Sequence, residues 1–211
     1  MQPVLEVLAP DNFVLWPVAE WKQFDYLALN GGLSPAEVGL AVMRIADCND
    51  LDPSPENGDD RPPRPADPTD SFLHGLLTFD SLFVTGGMRV VDTSTGVTFL
   101  PGCCGGLGDW RDWFPVTDGG SSAMFGHDPV ALAELVGDTA RLTLDREQHG
   151  SPVIELPVPE LRRLLAGAER DLTDFYRLAA AWISQYLPSQ ASRVIAAVGD
   201  ALDLLQPHAA R

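Results

Sequence analysis

The 211-residue sequence predicts an α+β protein: an antiparallel β-meander sheet with N-terminal helices, and a C-terminal helical hairpin packed on it. Three observations carry this. The centre strings together short runs rich in Val, Phe and Thr, separated by glycine turns. Ahead of it stands a complete helix start at Ser34-Pro35 with Glu37. From Pro157 onward the apolar residues follow a helical period.

Taken in order, residues 4–8 and 13–16 are apolar runs broken at Pro10-Asp11-Asn12 and Pro17, and read as one or two short strands. Residues 19–29 place Trp21, Phe24, Leu27 and Ala28 at helical spacing, with Asn30-Gly31-Gly32 as the stop. In the next helix Ser34 is the N-cap, Pro35 occupies the first turn, and Glu37 completes a capping box. Val38, Val42 and Ile45 form its apolar stripe. Residues 81–85, 88–92 and 97–100 make the meander, turning at Gly86-Gly87 and at 93–96. Residues 109–114 read as a short helix, and 130–135 as a short helix or a strand. Residues 141–145 and 153–156 are two more strands, joined near Gln148-His149-Gly150. Leu161, Leu164, Leu165, Ala168, Leu172, Phe175, Ala179, Trp182, Ile183 and Tyr186 then keep one helical face, with Gly167 as the point where it splits into two helices. After Leu187-Pro188, Ser189 caps a last helix with a stripe of Ala191, Ile195, Val198, Leu202 and Leu205.

Residues 49–70 differ from their surroundings. Six prolines and seven acids occur there, with no large apolar residue after Leu51, so regular structure is disfavoured. The expected organisation is a single α+β domain over 1–211, with a flexible Pro/Asp-rich insert at about 49–70 and a helical region at about 157–206.

The formal net charge is −16, and residues 151–211 carry seven acids against six bases, so nearly all the excess lies in the first 150 residues. An acidic body without a basic stripe repels nucleic-acid phosphate, so no nucleic-acid partner is expected. The same field attracts basic proteins. No apolar run reaches membrane-span length, and Met1-Gln2-Pro3-Val4 lacks the basic start of a signal peptide, so a cytoplasmic protein with no membrane partner is expected. Three cysteines, Cys48, Cys103 and Cys104, fit free thiols in a reducing compartment. Lys22 is the single lysine and sits in no phosphate-binding motif.

The most unusual stretch is Pro101-Gly102-Cys103-Cys104-Gly105-Gly106, between a strand and a short helix. Its glycines suit a sharp structural turn better than a phosphate cradle, for which the lysine and the spacing are missing. Cys103 and Cys104 with His127 and His74 would supply four metal-type ligands, but no pair has finger-like spacing, so no metal and no cofactor is expected. The same residues could form a cysteine–histidine nucleophile, although no known catalytic signature surrounds them. Downstream, Trp110 and Trp113 are interleaved with Asp109 and Asp112, and Asp118 follows. These five residues are the candidate binding site, with aromatic anchors inside an acidic rim.

The stretch Trp21-Lys22-Gln23-Phe24-Asp25-Tyr26-Leu27-Ala28-Leu29-Asn30-Gly31-Gly32 resembles the opening helix of the SUKH superfamily, and the later order of meander, strand and helix is similar. That superfamily comprises cytoplasmic bacterial α+β domains, many of them immunity proteins that neutralise toxins. The resemblance, the acidic body and the missing catalytic motifs imply a noncatalytic protein-binding domain whose partner is a basic protein, a toxin in the case the resemblance suggests. The alternative is a small cysteine-dependent enzyme using Cys103 or Cys104 with a histidine. A thiol in a cleft within hydrogen-bond reach of His127 or His74 would favour the enzyme; a convex acidic face would favour the binder.

Overall fold

The computed structural model describes residues 1–8, 10, 12–120 and 122–205. Its strands are β1 (Gln2–Val7), β2 (Asp25–Ala28), β3 (Gly86–Val91), β4 (Thr98–Phe99), β5 (Ser122–Met124), β6 (Leu132–Val136), β7 (Thr139–Thr143) and β8 (Val153–Pro157). Its helices are α1 (Pro35–Asp47), α2 (Pro68–Phe72), α3 (His74–Thr78), α4 (Phe114–Thr117), α5 (Val158–Tyr186) and α6 (Ala191–Ala201). The α+β class holds, with two antiparallel four-stranded sheets ordered β2-β1-β3-β4 and β5-β6-β7-β8. Two compact units result. One comprises Met1–Leu5, Ala28–Asn30 and Thr85–Thr173; the other comprises Glu6–Leu27, Gly31–Val84 and the described residues from Asp174 on.

In the first unit β1 pairs with β3 so that Pro3 faces Met88 and Leu5 faces Gly86. Gly86 and Gly87 open this strand instead of turning the chain ahead of it. A Cβ at Gly86 would lie 2.2 Å from the Val4 carbonyl oxygen, and its φ of +143° disfavours any other residue. Residues 81–85 lie outside the strands, and the meander is correspondingly shorter than expected. The ambiguous 130–135 segment is resolved as β6, which pairs with β5 and β7. The expected short helix is a 3-10 segment, Leu107–Trp113, running into α4.

The second unit is helical. In α1 the Ser34 hydroxyl accepts from the Glu37 amide at 3.3 Å, and the Ser34 amide donates to Glu37 Oε2 at 2.7 Å. Val38, Val42 and Ile45 are buried as the stripe requires. Ser34→Ala is expected to cost about 1 kcal/mol, the ordinary worth of such a cap, read as a lower urea midpoint. The C-terminal pair packs against helices here: α6 touches α1 and α3, and Trp182 of α5 meets Trp16 edge-on at 5.9 Å. Helix α5 is continuous through Gly167, where an added Cβ would find only Arg170 within 4 Å. In α6 the N-cap is Gln190, not Ser189, and Val194 is buried where Ile195 was expected. Leu205 is exposed. Residue 206, the expected end of the helical region, and Asp11 of the expected Pro10-Asp11-Asn12 break lie outside the described residues.

The expected helix at 19–29 is absent. Phe24 has φ +63°, which no right-handed helix accommodates, and the chain continues into β2. Leu27 and Leu29 are buried while Phe24 is 70% exposed, a strand-like alternation that helical spacing had masked. The segment that carries the SUKH resemblance is thus a turn and a strand.

The Pro/Asp-rich segment is tied to its own unit by two arginines. Arg61 pairs with Asp59 and lies over the Phe79 ring at 3.6 Å. Arg64 bridges Asp50, Asp52 and the Ser71 carbonyl. Asp67 caps α2 through the Thr69 and Asp70 amides.

Candidate functional site

After β4 the chain makes a tight turn in which the Gly105 amide donates to the Gly102 carbonyl at 3.1 Å. Cys103 and Cys104 are the central residues of that turn. Cys104 has φ +60°, a position that glycine usually fills. Left-handed backbone at a non-glycine residue costs on the order of 1–2 kcal/mol and is concentrated at functional sites. The turn is locked to the segment after β5: Gly102 donates to the Phe125 carbonyl at 2.7 Å, and His127 donates to the Cys103 carbonyl at 2.9 Å.

Glycine makes that approach feasible. A Cβ at Gly102 would lie 2.1 Å from the Pro129 carbonyl oxygen. A Cβ at Gly126, where φ is +89°, would lie 2.5 Å from the Cys103 carbonyl oxygen. The glycines therefore bring a pair of thiols to an imidazole 23 residues further along the chain.

The ligand atoms of Cys103, Cys104 and His127 all lie within 4.8 Å of one another, and all three residues are exposed. The two sulfurs are 3.8 Å apart, far beyond the roughly 2.05 Å of a disulfide. His127 Nδ1 is 3.0 Å from Asp128 Oδ2. That carboxylate is the largest cause holding the imidazole above its usual pKa; a hydrogen bond to the Cys104 sulfur is the second. Both partners favour the protonated ring. With Nδ1 committed to Asp128, Nε2 is the nitrogen available for chemistry with the thiols.

A raised imidazole pKa fixes the sign of the pH response. The pairing is fully present below about pH 6.5, the unperturbed value, and is lost as pH rises through the higher folded value. The His127 ring protons of the reduced protein, followed by NMR, should titrate above pH 6.5, and Asp128→Asn should move the midpoint down. An unmoved midpoint would remove Asp128 from this role.

Cys104 also lines a cleft of about 140 Å³, together with Gly86, Gly87, Asp109, Asp112 and Met124. Two of its lining aromatics are packed together: Trp113 stacks on Phe125 at 4.4 Å, and the buried Phe99 meets both edge-on. In comparisons with family models, curated proteins and solved structures, nothing matches the chain.

The five sequence-derived site residues divide. Asp109 and Asp112 are exposed and line this cleft beside Cys104. Trp110 and Trp113 line it too, but each is only 1% exposed, so they are core side chains and not surface anchors. Asp118 is not part of the lining; it follows α4 and accepts hydrogen bonds from Thr117 and Arg162. His74, weighed as a fourth ligand, is buried in the helical unit with Nε2 on the Pro62 carbonyl and takes no part in the cluster.

The thiol–imidazole cluster overturns the noncatalytic reading of the chain. Two exposed thiols, with left-handed backbone at Cys104 and an imidazole held by a carboxylate beside them, fit a cysteine-dependent site better than a purely noncatalytic binding domain. Asp128 was missed altogether; its position directly after His127 was the available signal. A second cleft, about 370 Å³, lies in the helical unit between Asp67, Asp70 and Tyr186, and no thiol or imidazole lines it. Among the described residues no helix is long and apolar enough to cross a membrane.

Proposed function

We propose that the chain is a small cysteine-dependent enzyme in which Cys104 is the nucleophile, His127 the proton acceptor and donor, and Asp128 the positioning residue. The observation that carries this is the proximity of Cys104, a residue of the cleft lining, to an imidazole within 4.8 Å whose Nδ1 is held by a carboxylate. Cys104 is preferred over Cys103 because it lines the cleft.

The reaction class is attack on an electrophilic carbon, with acyl transfer as its plainest form. The Cys104 proton passes to His127 and the thiolate adds to the substrate carbonyl carbon. Collapse of the tetrahedral adduct expels the leaving group, which takes the proton back from His127. A thioester on Cys104 remains. Water, deprotonated by His127, then releases the acid, and the proton returns to sulfur.

The cleft is close to the size of a cavity that accepts benzene, so the reacting part of the substrate is small. Asp109 and Asp112 favour a positively charged group there. A basic side chain on a protein partner is one substrate of this kind. Adjacent reduced thiols suit a reducing compartment, and the cytoplasm is the proposed location.

Mixing the reduced protein with a small activated ester and following intact mass tests the reading. One acyl group per chain, mapped to Cys104 and later lost to water, is expected. Acylation confined to Cys48 would contradict it.

A further inference from the structure

We propose that Cys103, Cys104 and His127 form a single-ion site for a thiophilic divalent cation of the zinc and cadmium type. The inference goes beyond the catalytic reading and does not rest on it, since it concerns what the cluster holds and not what Cys104 attacks.

The sulfur geometry carries the argument. A tetrahedral ion with metal–sulfur bonds of about 2.3 Å places its two sulfurs about 3.8 Å apart. The Cys103 and Cys104 sulfurs are 3.8 Å apart. The His127 ligand nitrogen lies within 4.8 Å of both sulfurs, in range to supply a third ligand once the exposed side chains close on an ion. Successive side chains of an extended strand point to opposite faces, so adjacent cysteines do not ordinarily share a ligand site. Here the left-handed Cys104 in a tight turn breaks that alternation and brings both sulfurs to the same side, 3.8 Å apart.

The surroundings of the imidazole supply a second, independent observation. Metal-binding histidines ordinarily donate their other nitrogen to a carboxylate, which fixes the ring and raises its basicity as a ligand. Asp128 stands in that position on His127 Nδ1 at 3.0 Å. Two sulfurs and one nitrogen favour a soft or borderline ion over magnesium or calcium. Three protein ligands leave one tetrahedral position open to water or to a substrate. An ion seated there would hold both sulfurs as thiolates and draw charge from them, which changes the reactivity of Cys104.

The test is titration of the reduced protein with cadmium, read by the ultraviolet sulfur-to-metal charge-transfer band and by calorimetry. One ion per chain is expected, with the band diminished in Cys103→Ser and in Cys104→Ser and unchanged in Cys48→Ser. Asp128→Asn should weaken the affinity by roughly 10–100-fold. All three ligands are exposed, so these variants should melt as the parent does. Absence of the band at equimolar cadmium, a band that survives both serine variants, or half an ion per chain would each overturn the site. The readout involves no substrate. Loss of cadmium binding with Cys104 acylation intact would remove the ion site alone, and the converse would remove the catalytic reading alone.

Discussion

His127→Ala should slow acylation of Cys104 by roughly 10²–10⁴-fold, the range that a positioned general base contributes. Cys104→Ser should abolish the covalent adduct. The expectation follows from connectivity. The imidazole lies within 4.8 Å of the thiols and is held by the Asp128 carboxylate, so its loss removes the basic nitrogen of the described cluster. Asp128→Asn keeps the ring but loses the charge that orients it, and its rate should fall between parent and His127→Ala. The acylation rates of the three variants, followed by intact mass with one ester, decide this. A His127→Ala rate equal to the parent's would make the histidine a bystander. Serine and alanine at these exposed positions should leave thermal unfolding unchanged, which separates the chemical effect from loss of fold.

The largest expected effect on stability belongs to Trp182→Ala, at about 3 kcal/mol. Trp182 is 5% exposed, packs edge-on against Trp16 and stacks on Tyr186 at 4.6 Å. Gly39 of α1 makes room for it, because a Cβ there would lie 3.0 Å from the indole. Truncating a buried tryptophan costs about 3–5 kcal/mol. The indole Nε1 is buried without a hydrogen-bond partner, so its removal also relieves an unsatisfied donor and pulls the net toward the lower end of that range. Trp182→Phe should therefore lose much less than Trp182→Ala. Urea unfolding of both variants checks the pair. A loss under about 1 kcal/mol for Trp182→Ala would mean that this face of α5 does not hold the helical unit together.

Legibility in the sequence followed the range of the forces involved. The capping box at Ser34 and Glu37 is written in consecutive residues, and α1 begins where it says. The α5 stripe is redundant over many turns, so a single glycine does not disturb it. The segment at 19–29 failed because aromatic spacing was read as helical period, while the left-handed Phe24 depends on contacts that spacing does not encode. Gly86-Gly87 failed for a related reason. Glycine marks either a turn or a close approach of another strand, and the partner at Val4 lies 82 residues away.

The site was half visible. Cys103, Cys104 and His127 were all singled out, but their assembly depends on Gly102 and Gly126 touching across two loops, a contact of tertiary structure. Asp109, Trp110, Asp112 and Trp113 line the cleft beside Cys104, the acids from the rim and the tryptophans from the core, so the expectation of aromatic surface anchors fails.

Substoichiometric labelling of the native, reduced protein with a small chloroacetamide, followed by peptide mapping of all three cysteines, tests the central claim most directly. Label should accumulate on Cys104 ahead of Cys103 and Cys48, and this preference should vanish in His127→Ala. Equal labelling of the exposed Cys103 and Cys104, unchanged by the histidine substitution, would show two ordinary surface thiols and contradict the assignment of Cys104 as an activated nucleophile.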